Sequence, residues 1–197
     1  TRKTKMTQKE IQEGVVETTG AFHPFVPNYG YHSWKLKGET DKSLAEYLLL
    51  RHNQGRFISN DYSSPLSEDL RLDSEHPDVS SAIKEIMAHI RTVNPKLKLM
   101  TNQFGQPEIW GQVNMKGGST AMHKHDDCFA FVYYVNAPVD GGMLKFYVNY
   151  DTMSHVCTTE LSSKSLLFFP GWVPHFTMRN QSDSPRIVLS GNIVFGD

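Results

Sequence analysis

The feature that most narrows what this chain can fold into is a change of character near residue 105. From there to residue 197 the sequence runs in short β-branched and aromatic stretches broken by Gly, Pro, Asn and Asp, with no helical period between them. Strands are predicted at 107–115, 128–135, 143–149, 155–160, 165–169, 173–179 and 186–195. Pro138, Asp140, Gly141 and Gly142 make one turn, and Pro170-Gly171 make another. So many strands in about 90 residues, unrelieved by helices, argue against βαβ units and for an antiparallel sandwich or jelly roll.

The first half reads differently. Thr40 or Asp41 can cap a helix over about 41–53 whose apolar stripe is Leu44, Tyr47 and Leu48, with Arg51 completing the spacing. A second helix starts around Pro77, a residue suited to a first helical turn, and aligns Val79, Ile83, Ile86, Met87, Ile90 and Val93 before Asn94-Pro95 stops it. Ser59 to Asp73 has turn residues and little periodicity and reads as a loop. The expected fold class is therefore mainly β with N-terminal helices, an α+β arrangement: one domain over 1–197, with helical support over about 1–105 packed on the outer face of a β core over about 106–197.

Composition removes several function classes. Lys plus Arg number 20 against 21 Asp plus Glu, a net charge of −1, so nothing favours a partner with a phosphate backbone. The longest apolar runs fall far short of the ~20 residues that cross a bilayer, and Thr1 to Glu10 is polar and basic, without the apolar stretch of a secretory signal. Two cysteines, Cys128 and Cys157, make no disulfide framework, so a reducing cytoplasm is the expected compartment. The unusual count is nine His.

Residues 123 to 127 read His-Lys-His-Asp-Asp, just before an apolar strand. In an extended segment His123, His125 and Asp127 share one face, three potential metal ligands on one side. A distant His175 lies in an aromatic-rich strand, turn and strand. Two His and one carboxylate around a cation whose remaining positions stay open suit non-haem iron(II) oxygen chemistry, and His125, Asp127 and His175 supply that set. The plainer reading is a solvated strand end with capping and turn residues. Arg186 opens an otherwise apolar strand, where a guanidinium is costly to bury unless it meets an anion, and its fork suits a carboxylate. The structural alternative is a rim Arg paired with Asp183 or Asp197. Tyr134 could give its hydroxyl to the same anion or be simple core.

The order of these pieces resembles the iron- and 2-oxoglutarate-dependent oxygenases: His-x-Asp at 125–127, Tyr133-Tyr134-Val135-Asn136, Gly141-Gly142-x-Leu144-x-Phe146, Leu167-Phe168-Phe169-Pro170, His175 and Arg186. More narrowly, Ile58-Ser59-Asn60, Trp110 with Val113-Asn114, His123-x-His125, Val132 to Val135, Phe169 to Trp172, and Arg186 followed after five residues by Asn192 resemble a bacterial and phage branch of those oxygenases. The resemblance implies a double-stranded β-helix, a cupin-like barrel, with iron(II) held by a His-x-carboxylate pair and a distal His. It implies 2-oxoglutarate as cosubstrate, its far carboxylate on Arg186 with Tyr134 as helper. Dioxygen, 2-oxoglutarate and a peptidyl residue such as proline, or a small molecule, are the implied reactants of a hydroxylase that releases succinate and carbon dioxide. His123 and His125 compete for the first ligand position. His125 is preferred because it alone stands two residues before a carboxylate on the same face.

Two other classes remain. Gly117 with His123-x-His125 also resembles the first metal motif of the cupins, isomerases or sensors, but positions 129 and 130 are Phe and Ala where a Glu would follow. A metal-free β-sandwich binding module would instead use Trp110, Trp172 and the tyrosines as a contact surface.

Overall fold

The computed structural model describes residues 18–21, 30–36, 41–55, 67–70, 72, 74, 76–125, 127–150, 153–158 and 161–196. In chain order the elements are β1 (Thr18–Ala21), β2 (Gly30–Lys35), α1 (Lys42–Asn53), β3 (Ser67–Leu70), α2 (Pro77–Val93), β4 (Leu97–Leu99), β5 (Ile109–Asn114), β6 (Phe129–Asn136), β7 (Leu144–Tyr150), β8 (Met153–Thr158), β9 (Ser165–Pro170), β10 (His175–Thr177) and β11 (Arg186–Phe195). Both predicted helices and all seven predicted strands are present. The described strands form an eight-stranded sheet, in the order β1-β2-β9-β6-β11-β5-β3 with β4 also on β11, and a three-stranded sheet, β10-β7-β8. Every pairing is antiparallel. The mainly β class with N-terminal helices is as expected. Among the described residues the strands make two sheets and no closed barrel.

Side-chain alternation sorts the large sheet into two faces. Phe131, Tyr133 and Val135 of β6, Leu166 and Phe168 of β9, and Ile187, Leu189 and Ile193 of β11 pack with Leu44 and Leu48 of α1 and Val79, Ile86, Met87 and Ile90 of α2. Burying each such side chain contributes on the order of 1.5–3 kcal/mol. The intervening residues Ala130 and Tyr134 of β6, Leu167 and Phe169 of β9 and Val188 of β11 pack instead with Leu144 and Phe146 of β7. The helices therefore cover one face, as predicted, and the small sheet covers the other. The site lies between the two sheets.

Four strands were not foreseen. β3 falls in the predicted loop 59–73: Ser67, Glu68, Asp69 and Leu70 carry no apolar alternation, and it is pairing with β5 that makes them a strand. β1, β2 and β4 are short and likewise take their state from neighbours. Asp41 occupies the N-cap position of α1 without capping it through its side chain. Its carboxylate instead accepts the hydroxyl of Tyr133, tying the helix start to β6. That bond and burial push the Tyr133 hydroxyl well above its ordinary pKa, burial being the larger cause.

Candidate metal and anion site

Register brings the inner-face side chains together. Across β11 and β5, Arg186 faces Asn114, Val188 faces Gln112 and Ser190 faces Trp110; across β11 and β6, Val188 faces Tyr134 and Asn192 faces Ala130. On the small sheet His175 faces Phe146 and Thr177 faces Leu144. All of these except Asn114 and Phe146, together with His123 and His125, line a cavity of about 350 Å³ between the sheets. A register shift between Ile187 and Val188, a bulge of the kind that re-aims a neighbouring side chain, sits beside Arg186.

The segment before β6 is held against the small sheet's β10. His123 and His175 exchange backbone hydrogen bonds at 3.0 and 2.9 Å, and the His125 N–H donates to the Gly171 carbonyl at 2.8 Å. Gly171 makes that approach possible: a Cβ there would stand 2.8 Å from the Cys128 carbonyl oxygen and 2.9 Å from the His125 Cβ. One ligand atom from each of His123, His125 and His175 lies within 4.8 Å of the others. The rings of His123 and His175 have centroids 4.3 Å apart, and His125 lies 5.2 Å from both.

Each ring is oriented by an acceptor at Nδ1. His123 donates to the Ala121 carbonyl at 2.9 Å and His175 to the Val173 carbonyl at 2.8 Å. Carbonyl oxygens only accept, so Nδ1 carries the proton and Nε2 the lone pair in both. At His125 the partner is Asn192 Oδ1, at 2.8 Å. The orientation of that amide is fixed because its Nδ2 donates at 2.9 Å to Glu108 Oε2, a carboxylate oxygen that accepts only. All three imidazoles thus turn their lone pairs from Nε2, the arrangement metal-ligating histidines need. Burial, and next the adjacent His123, push the His175 pKa down to about 3, so that ring is neutral and able to ligate at ordinary pH.

Asp127 is not part of this cluster, although the expected set was His125, Asp127 and His175. The extended run that puts alternate residues on one face ends before it: Asp127 has φ 53°, a left-handed conformation, and is exposed. His123 stands in its place, giving His-x-His where His-x-Asp was expected. Asp126 lies outside the described residues.

Arg186, 1% exposed, is a buried charged group of the inner face. Its Nε donates to Asn114 Oδ1 at 3.0 Å, Nη1 to the Gly141 and Met178 carbonyls at 3.0 and 3.2 Å and also to the Gly142 carbonyl, and Nη2 to Thr177 Oγ1 at 2.7 Å and to Asn114 Oδ1. Every acceptor is formally neutral. Asp183 is engaged elsewhere, exposed and paired with Lys116 at 2.7 Å, so the rim pairing of Arg186 with Asp183 does not occur. Asp197 lies outside the described residues. Burial lowers the Arg186 pKa, from a starting value so high that the cation persists.

Two hydroxyls stand beside it on the cavity. Thr177 Oγ1 accepts from Arg186 Nη2 and, at 2.8 Å, from the Thr120 N–H, so both lone pairs are used and its O–H is the group it offers to the cavity. The Tyr134 oxygen takes a backbone hydrogen bond from Leu144, and burial, only partly offset by Arg186, pushes its pKa up to about 12; it too is a neutral donor. Tyr134 is therefore on the inner face. Thr177 and Asn114 were missed as site residues: the β11–β5 register brings Asn114 to Arg186, and the packing of the small sheet on the large one brings Thr177.

No protein-family model and no curated protein matches the sequence. Solved structures do match in shape. A Pseudomonas putida prolyl-4-hydroxylase superposes with a TM-score of 0.58 at 18% identity, covering 86% of this chain and 94% of its own. A Trichoplax adhaerens prolyl hydroxylase, solved with a hypoxia inducible factor oxygen degradation domain peptide fragment, gives 0.59 at 14%, covering 84% of each chain. HygX from Streptomyces hygroscopicus, solved with nickel, 2-oxoglutarate and hygromycin B, gives 0.58 at 11%, covering 84% of this chain and 82% of its own. The chain shares their fold.

Proposed function

We propose that this chain is an iron(II)- and 2-oxoglutarate-dependent oxygenase, with the metal on His123, His125 and His175 and the distal carboxylate of 2-oxoglutarate on Arg186, Thr177 and Tyr134. The observation that carries the reading is one cavity holding both a three-imidazole cluster and a buried cation with no carboxylate partner among the described residues. A buried guanidinium surrounded by neutral acceptors keeps its charge uncompensated, so a small dianion that can also chelate a metal answers both halves of the site. The fit to iron(II) rests on the donor set: three neutral nitrogens, each held by an acceptor at Nδ1, with the rest of the coordination sphere left to oxygen ligands.

Iron(II) with 2-oxoglutarate and dioxygen supplies oxidation of a substrate C–H bond, with release of succinate and carbon dioxide. The protein's own groups do the rest. The imidazoles hold the metal between the two sheets, and Arg186 with the two hydroxyls fixes the cosubstrate's far end. Val132, Leu144, Phe169 and Val188 keep the cavity wall dry. For the primary substrate we propose a peptidyl residue or a small molecule, in keeping with what the prolyl hydroxylase and HygX structures hold.

The test is iron binding followed by 2-oxoglutarate turnover. About one equivalent of metal per chain is expected, with succinate formed only when iron(II) and 2-oxoglutarate are both present. Full metal content and turnover in a His175→Ala variant would remove the assignment. A metal-binding cupin would bind the ion but form no succinate, and a metal-free module would do neither.

A further inference from the structure

We infer that Glu108 and Asn192 form a positioning relay that carries a carboxylate's influence to the metal through His125, the clustered ligands among the described residues being three imidazoles and no carboxylate. The inference rests on the metal assignment above. Three imidazoles are neutral, so within the described ligand cluster nothing offsets a dication's charge. One carboxylate stands a single amide away: Glu108 Oε2 accepts Asn192 Nδ2 at 2.9 Å, and Asn192 Oδ1 accepts His125 Nδ1 at 2.8 Å. Polarisation passes along such a chain, making the imidazole a stronger donor at Nε2.

The local backbone is built for this contact. Asn192 is fastened to Glu108 a second time, its N–H donating to the Glu108 carbonyl at 3.0 Å, while its own carbonyl accepts the Met100 N–H at 2.8 Å. Gly191 lets β11 come this close, since a Cβ there would stand 2.8 Å from the Glu108 carbonyl oxygen. Trp110, two residues after Glu108, stacks on His125 at 5.7 Å and 17° between planes, limiting rotation of the ring. At His123 and His175 the Nδ1 acceptor is a backbone carbonyl, whereas at His125 it is the side chain that leads to Glu108.

The experiment titrates cobalt(II) alone, without cosubstrate, into the metal-free full chain and into Asn192→Ala and Glu108→Gln, reading the dissociation constant and the cobalt absorption spectrum. Glu108→Gln keeps shape and removes charge, so it serves where Asn192→Ala lowers stability. Asn192→Ala is expected to weaken cobalt binding about 10–100-fold, and Glu108→Gln by a smaller factor in the same direction, both with a shifted spectrum. Unchanged melting of Glu108→Gln beside weakened cobalt binding separates positioning from folding. Wild-type affinity and spectrum in both variants would overturn the relay while leaving the metal site standing. Failure of the wild type itself to bind cobalt would instead overturn the metal assignment and the relay with it.

Discussion

His123 and Asp127 flank the same two-residue spacing around His125, and the geometry chooses between them. With Asp127 exposed at φ 53° and His123 bridged to His175, His123→Ala is expected to lose most bound metal, whereas Asp127→Ala retains it. Metal content per chain after dialysis checks this, and retention by the His123 variant beside loss by the Asp127 variant would restore the His-x-Asp register. The choice was not legible from spacing, because alternation holds only while the chain stays extended, and nothing in His-Lys-His-Asp-Asp marks where it turns. Arg186 behaves differently. Its place at the head of an apolar strand was readable either as the partner of an anion or as a rim Arg paired with Asp183 or Asp197; its burial among neutral acceptors, with Asp183 on Lys116, removes the pairing with Asp183. Removing a buried, hydrogen-bonded partner of a charge costs on the order of 2–5 kcal/mol, so Arg186→Ala should weaken 2-oxoglutarate binding roughly 30-fold to several thousand-fold. Arg186→Lys should recover part of the loss, a point charge being unable to reproduce the fork. Thr177→Val, which removes one hydroxyl and keeps the shape, should weaken the cosubstrate by a smaller factor and leave metal binding unchanged.

The elements whose apolar period is long were readable in outline. α2 buries Val79, Ile86, Met87 and Ile90 of the face its spacing defines, with Val93 at its end exposed, and the strands from 107 onward stand where their β-branched and aromatic runs predicted them. β3 and β4 were not, since four or three residues make too short a pattern and the partner strand decides. The cap of α1 shows a second limit: Asp41 stands in the capping position, yet its carboxylate is taken by Tyr133, a residue 92 positions away that no local rule connects to it. The burial of Tyr133, and after it that bond, have a measurable consequence. The Tyr133 pKa is raised in the folded state above its ordinary 10, so the stabilisation is fully present below pH 10 and is lost as pH rises beyond it. Urea unfolding from pH 8 to 11 should show stability falling on the alkaline side. Tyr133→Phe should lower stability by about 1.5–3 kcal/mol at pH 8 and shrink that alkaline fall. An alkaline limb identical in the variant and the wild type would mean that another group titrates.

On the scale of the molecule, the proposed metal joins the two sheets, with His175 on β10 of the small sheet and His123 and His125 on the segment leading into β6 of the large one. A ligand that binds only the folded chain adds about 2.7 kcal/mol at a hundred times its dissociation constant, which for a chain of 197 residues is about 5–11 °C in melting temperature. Nickel with 2-oxoglutarate should produce a rise of that size, and a chelator should abolish it. The overall β class was visible in the sequence, but the division into an eight-stranded and a three-stranded sheet was not, because β1 and β2 join the large sheet across more than 100 residues of chain. The central claim, that one cavity holds both the metal and the anion anchor, is met most directly by an anaerobic titration of 2-oxoglutarate into the iron(II)-loaded protein. A weak visible charge-transfer band is predicted that saturates in the wild type and needs far more 2-oxoglutarate in Arg186→Ala at equal iron content. No band at any concentration, or equal dissociation constants for the two proteins, would contradict it.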